Sequence, residues 1–227
     1  MSAWTIRPAE TADLAQLTAI YNHYIERTSV TFDMRAFTPE ERQGWFDEHS
    51  TGSGRIRLLV AADADGQVGG YATTSRFRPK AAYDTTVEAS VYCSPTHVGQ
   101  GIGTRLYSEL FRVIAGEDIN RIVAGVTMPN AASLALHRRF GFTEVGVFSS
   151  VGRKFDRYWD VIWLERGLDG DWGLGIWDPG LGIRGSGFGA RGSARGTRLP
   201  RRSSRGRRSE GGGFGARDSG EELEAGS

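Results

Sequence analysis

The chain has 227 residues, a formal charge of +1 and one cysteine, enough length for one ordinary domain with a sizeable core and a remainder. The near-neutral charge excludes a whole-chain basic field for nucleic acid or membrane, and no apolar run is long enough for a signal peptide or a bilayer span. Cys93 cannot form an internal disulfide, which fits a reducing cytoplasm, and its place in a strand-like run reads as a buried apolar thiol.

In chain order, Ile6-Arg7-Pro8 predicts a short strand. Thr11 or Asp13 can cap a helix with Leu14, Leu17, Ile20, Tyr21, Tyr24 and Ile25 on one side. Thr38-Pro39-Glu40-Glu41 opens a second helix, with Trp45 and Phe46 as its buried side. Strands follow at 58–62 and 68–74, joined through Ala64-Asp65-Gly66-Gln67 as a hairpin. After the loop 75–84 comes a strand at 86–93, then a helix at 104–115, a strand at 121–128, a helix at 131–140 and two strands near 143–150 and 158–164. The order β-α-α-β-β-β-α-β-α-β-β implies a mixed sheet with helices on both faces.

Composition changes near Gly167: 17 of the 32 glycines fall in the last 59 residues, far above the usual share of about 7%. Such a Gly/Arg/Ser-rich segment buries too little apolar surface to offset its ordering entropy, so 169–227 is expected to be a disordered tail after a domain at 1–168. Its run Arg201-Arg202-Ser203-Ser204-Arg205-Gly206-Arg207-Arg208 has the residue types of an RNA-binding arm. The acidic residues Glu210, Asp218, Glu221, Glu222 and Glu224 that follow blunt that field, and a solvated appendage is the preferred reading, with no nucleic-acid partner.

The stretch Val91-Tyr92-Cys93 followed by Val98-Gly99-Gln100-Gly101-Ile102-Gly103-Thr104 is a strand, a glycine-punctuated turn and the start of a helix. Glycines there let the backbone turn tightly, and helix amides and the positive dipole end point at an anion in the turn, as for a pyrophosphate. No Gly-Lys-Ser/Thr follows, so a P-loop is excluded. The stretch resembles the coenzyme A loop of the GCN5-related N-acetyltransferases, Arg/Gln-x-x-Gly-x-Gly/Ala, with Val98 where the family has Arg or Gln. Asn130-Ala-Ala-Ser133-Leu134 with Gly141-Phe142 is similar to the family's helix beside the coenzyme. His137 stands where most members carry a tyrosine general acid. That histidine, with Arg78-Pro79-Lys80-Ala81-Ala82-Tyr83-Asp84, Thr86-Val87-Glu88-Ala89-Ser90-Val91-Tyr92, Tyr21-Asn22-His23-Tyr24-Ile25 and Val151-Gly152-Arg153-Lys154-Phe155, resembles the phosphinothricin and methionine-sulfone branch over about residues 4–168.

The resemblance implies an α/β fold with a mixed, mostly antiparallel sheet of about seven strands. It also implies acetyl-CoA as co-substrate, a small-molecule amine acceptor and a homodimer. Val91, Tyr92, Cys93, Val98 to Thr104, Asn130 and Ser133 would bind the coenzyme, Asn130 being equally a plain helix cap. Glu88 sits in an apolar run, where a carboxylate is costly unless used or paired; it is the candidate base, the alternative being an ordinary strand carboxylate. His137 titrates near neutrality and is read as an acid or a partner in the proton path. Arg78 and Lys80, next to Pro79, can receive an acceptor carboxylate or simply be solvated, and Phe32, Tyr83 and Tyr107 are candidate pocket walls. His23, His49, His97 and His137 show no metal-ligand spacing, so no metal is expected. The alternatives are a peptide, protein N-terminal or polyamine acetyltransferase, and an idle acetyl-CoA-binding module.

Overall fold

The computed structural model describes residues 4–168; the expected tail, 169–227, lies outside the described residues. The elements are β1 (Thr5–Pro8), α1 (Leu14–Arg27), α2 (Gln43–His49), β2 (Arg57–Ala62), β3 (Val68–Arg76), β4 (Thr86–Cys93), α3 (Ile102–Val113), β5 (Arg121–Thr127), α4 (Ala131–Arg139), β6 (Thr143–Lys154) and β7 (Arg157–Gly167). One seven-stranded sheet runs β1-β2-β3-β4-β5-β7-β6. Among the described strands only β4 and β5 are parallel, because α3 returns the chain to the same end of the sheet between them.

Alternation along the strands sorts side chains to two faces. On one, Leu106, Leu110, Phe111 and Ile114 after the apolar stripe of α3 pack on Leu59, Ala72, Val87, Ala89, Ile122 and Leu164. On the other, Leu14, Leu17 and Ile20 of α1 and Phe46 of α2 pack on Leu58, Val60, Val68 and Tyr71. Leu106 and Leu17 have no exposed surface; burying such a side chain contributes about 1.5–3 kcal/mol.

The expected strands and helices are present, with two differences. Residues 38–42 form a turn, and the second helix begins only at Gln43. The capping chemistry is nonetheless in place: Glu41 N donates to Thr38 Oγ1 (3.3 Å) and Thr38 N donates to Glu41 Oε2 (2.9 Å). Phe46 is buried as expected, whereas Trp45 is half-buried and forms a platform 3.9 Å from the Arg42 guanidinium carbon. The second difference is the last hairpin, whose strands extend to Lys154 and start again at Arg157. Its tip is Phe155-Asp156, both at positive φ (53° and 56°), a tight two-residue turn made without the Asn or Gly that usually marks one.

Candidate active site

β4 pairs with β3 along its length, from Arg76↔Val87 to Gly70↔Cys93. Its pairing with β5 stops after Thr86↔Arg121, Val87↔Ile122 and Glu88↔Val123. Beyond Glu88 the two strands part, and the β5-facing edge of residues 89–93 has no ladder partner among the described residues.

At the open end of this split the chain crosses Gly99 and Gly101, with φ of 83° and 75°, a left-handed backbone that side chains resist. Gly101 is the N-cap of α3, and the first intrahelical bond runs from Arg105 N to Gly101 O (3.1 Å). The amides of Ile102, Gly103 and Thr104 therefore precede the helical ladder and sit at its positive end. A cavity of about 330 Å³ lies there, lined by Cys93, Val98, Gly99, the start of α3 and, from α4, Ala132, Ala135, Leu136 and Arg139. Arg139 and His97, absent from the sequence candidates, belong to this lining. Cys93 is half-buried, and burial pushes its thiol up, partly offset by the Gly103 amide. Val91 and Cys93 face α3, and Val98 is 64% exposed. Gln100 is exposed, and its Oε1 accepts from the Trp4 indole at 3.4 Å. Tyr92 points to the opposite face, stacked on Tyr71 at 5.3 Å and edge-on to Tyr21 and Tyr24.

Glu88 is half-buried at the base of the split, on the Tyr92 face, and has no hydrogen-bond or ion-pair partner among the described residues. Burial pushes its carboxyl above the usual carboxylate range. Tyr107 is held above the usual phenol range chiefly by burial and then by the charge of Glu88.

His137 is 3% exposed. Its Nδ1 lies 2.8 Å from the Ser133 carbonyl, so this nitrogen donates, and Nε2 accepts from the Tyr107 hydroxyl at 3.1 Å. Burial lowers its pKa, against the Ser133 bond. His137 thus lies behind Tyr107, off the cleft surface. Tyr107 itself is 0% exposed, inside the core and off the pocket wall where the sequence reading put it. Asn130 caps α4 by accepting from Ser133 N at 3.1 Å, the plain reading of that residue; Ser133 is half-buried on the first turn.

The substrate candidates fall into two groups. Arg78 lies over the rings of Phe77 (4.9 Å) and Tyr83 (5.9 Å), and Phe77 is edge-on to Tyr83 and to Trp163 of β7. Arg78, Pro79 and Lys80 are exposed on this loop. Phe32 is separate: a Cβ on Gly152 would meet its ring at 2.2 Å, and its neighbour Thr31 accepts at O from Lys154 Nζ (2.7 Å) and bonds through Oγ1 to the Tyr21 hydroxyl (2.8 Å). Among the described residues no group of three His, Cys, Asp or Glu is arranged to hold a metal ion, and no helix is long and apolar enough to cross a membrane.

A family model described as acetyltransferase (GNAT) domain matches residues 6–163. The chain belongs to the GNAT acetyltransferase family. It is 52% identical over 164 residues to a phosphinothricin N-acetyltransferase of Streptomyces coelicolor, covering 72% of this chain and 95% of that one. It is 38% identical over 169 residues to an L-methionine sulfoximine/L-methionine sulfone acetyltransferase of Pseudomonas paraeruginosa, covering 74% and 96%. The crystal structure of a GNAT superfamily phosphinothricin acetyltransferase from Sinorhizobium meliloti in complex with AcCoA superposes with a TM-score of 0.69 at 33% identity, covering 74% and 89%. In this GNAT chain the mixed seven-stranded sheet and its helices match the expected fold.

Proposed function

We propose that this GNAT enzyme transfers the acetyl group of acetyl-CoA to the α-amine of a small amino acid or toxic analogue of the phosphinothricin, methionine sulfone or methionine sulfoximine type. The observation that carries the reading is the partnerless Glu88 at the base of the β4–β5 split, with the α3 N-terminus at its open end.

The residues present fit the coenzyme. The left-handed turn at Gly99 and Gly101 and the amides from Ile102 to Thr104 suit a pyrophosphate, Arg139 adds a cation at the rim, and the free edge of 89–93 suits an amide-bearing arm. The departure at Val98 is tolerable because main-chain amides do this binding. When bound, acetyl-CoA supplies an activated acyl carbon and a thiolate leaving group.

Glu88, whose proton affinity burial has raised, takes the proton of the acceptor ammonium directly or through one water. The free main-chain donors of β4 polarise the carbonyl. His137 is a positioning residue: it fixes the Tyr107 hydroxyl near the split and so takes part in the proton path at one remove. Attack is direct, in a ternary complex, with no covalent enzyme intermediate: the C–N bond forms as the C–S bond breaks, and the proton that the nitrogen then sheds is taken up by the departing thiolate, leaving amide and free thiol. Arg78 and Lys80 receive the acceptor's carboxylate, with Tyr83 and Phe32 as walls. The enzyme acts as a homodimer through the outer strand β6, where Val145, Val147 and Val151 are 53–61% exposed.

The test is thiol release from acetyl-CoA with phosphinothricin, methionine sulfone, methionine sulfoximine and a short peptide, for the native enzyme and Glu88→Gln. Turnover of the small analogues that collapses in the variant is the expected result. A peptide-only signal would move the substrate class, and coenzyme binding without turnover would leave an idle binding module.

A further inference from the structure

Glu88 and Val123 are partners across β4 and β5, and Val123↔Glu165 and Gly125↔Trp163 are partners across β5 and β7. Paired residues share a face, so Glu88, Val123, Gly125 and Trp163 lie on one side of the sheet, opposite the core formed by Ile122, Ala124, Ile162 and Leu164. On that side the β5 position after Val123 carries no side chain. Gly125 is exposed, and a Cβ built there would lie 3.5 Å from the Trp163 ring, in ordinary contact. The indole therefore lies across a bare stretch of β5, on the same face of the sheet as the partnerless carboxylate.

Trp163 is half-buried, and its indole N–H has no acceptor among the described residues. Phe77 stands edge-on to it, 6.0 Å away, and Phe148, the partner of Val161, closes the other end at 6.4 Å. An aromatic wall of this size with an unused donor, facing a glycine floor, suits an acceptor with an apolar side chain and an oxygen-bearing end.

We propose that Trp163, on the floor made by Gly125, is a specificity-determining residue for the acceptor. Its ring packs against the acceptor's side-chain methylenes and its N–H donates to a terminal oxygen. This rests on the assignment of Glu88 as the base and of a small amino acid analogue as acceptor. It adds a residue from the last strand to the loop residues Arg78, Lys80 and Tyr83.

The experiment uses the full chain with methionine sulfone as the probe. Trp163→Leu is expected to lower kcat/KM for methionine sulfone by about 10- to 100-fold, the range a hydrophobic wall supplies, with the KM for acetyl-CoA unchanged. Trp163→Phe is expected to lose the intrinsic-fluorescence change that methionine sulfone causes in the native enzyme. Gly125→Ala, whose Cβ meets the indole and Val161 at ordinary contact distance and so narrows the floor with Trp163 left in place, is expected to show the same selective loss in smaller degree, and circular dichroism checks that each variant folds. Folded Trp163→Leu with kcat/KM within twofold of native, or an undiminished fluorescence change in Trp163→Phe, would overturn the proposal while leaving the acetyltransferase reading intact. A native enzyme that neither binds nor acetylates methionine sulfone or phosphinothricin overturns both.

Discussion

Glu88 and Val123 form the last pair between β4 and β5, and the sheet opens immediately beyond them. A carboxylate at the end of a ladder has sheet on one side and a cleft on the other, which is why it is half-buried yet unpaired among the described residues.

Replacing Glu88 separates catalysis from stability. Glu88→Gln is expected to lower kcat by about 10²- to 10⁴-fold, the usual contribution of a general base. Because burial raises the folded-state pKa, the stability this group contributes is present below its unfolded pKa, about 4.3, and lost as pH rises through the higher folded value. The variant should therefore melt at a higher temperature than native at pH 7, and the difference should vanish near pH 4. Differential scanning calorimetry at both pH values checks this, and the acid limb of kcat/KM should lie above the ordinary carboxylate range.

At the mouth of the cleft, Gly101→Ala puts a side chain at φ 75°. The strain costs about 1–2 kcal/mol, read as a lowered Tm. Turning the loop off its conformation is expected to raise the KM for acetyl-CoA, with a smaller effect on kcat at saturation. Steady-state kinetics in acetyl-CoA at fixed acceptor reads this directly.

His137 and Tyr107 should act as one unit. His137→Gln and Tyr107→Phe are each expected to lower kcat, and the double variant to be little worse than the poorer single, which a double-mutant cycle measures. Removing His137 also leaves a buried hydroxyl without its acceptor, at a cost of about 1–3 kcal/mol. Its lowered folded pKa means its stability is present above the unfolded value, about 6.5, and lost as pH falls towards the folded one. His137→Gln should thus show a flatter fall in Tm below that pH than the native enzyme.

The outer strand carries the assembly prediction. Val145→Glu with Val151→Glu, both at positions more than half exposed, is expected to convert a dimer into a monomer in sedimentation velocity. An unchanged sedimentation coefficient would place the contact elsewhere.

By itself the sequence determined the element order, helices on both faces of the sheet, the glycine turn before α3 and the presence of a carboxylate inside the strand after the loop 75–84. Each rests on local chemistry: periodicity, helix caps, the glycines at 99, 101 and 103, and a charge inside the apolar run 87–93. The tip at Phe155-Asp156 was illegible because no glycine or asparagine marks it, and the long hairpin was cut short in consequence. His137 and Tyr107 were legible as residue types at motif positions, but their burial behind the cleft is set by how α3 and α4 pack, thirty residues apart in the chain. Trp163 had one local signal, the glycine inside the strand at 121–127, which marks close approach of something to the backbone. What approaches was decided only when β7 paired with β5. Pairing partners in a sheet are chosen by long-range packing, and no window along the chain contains both strands.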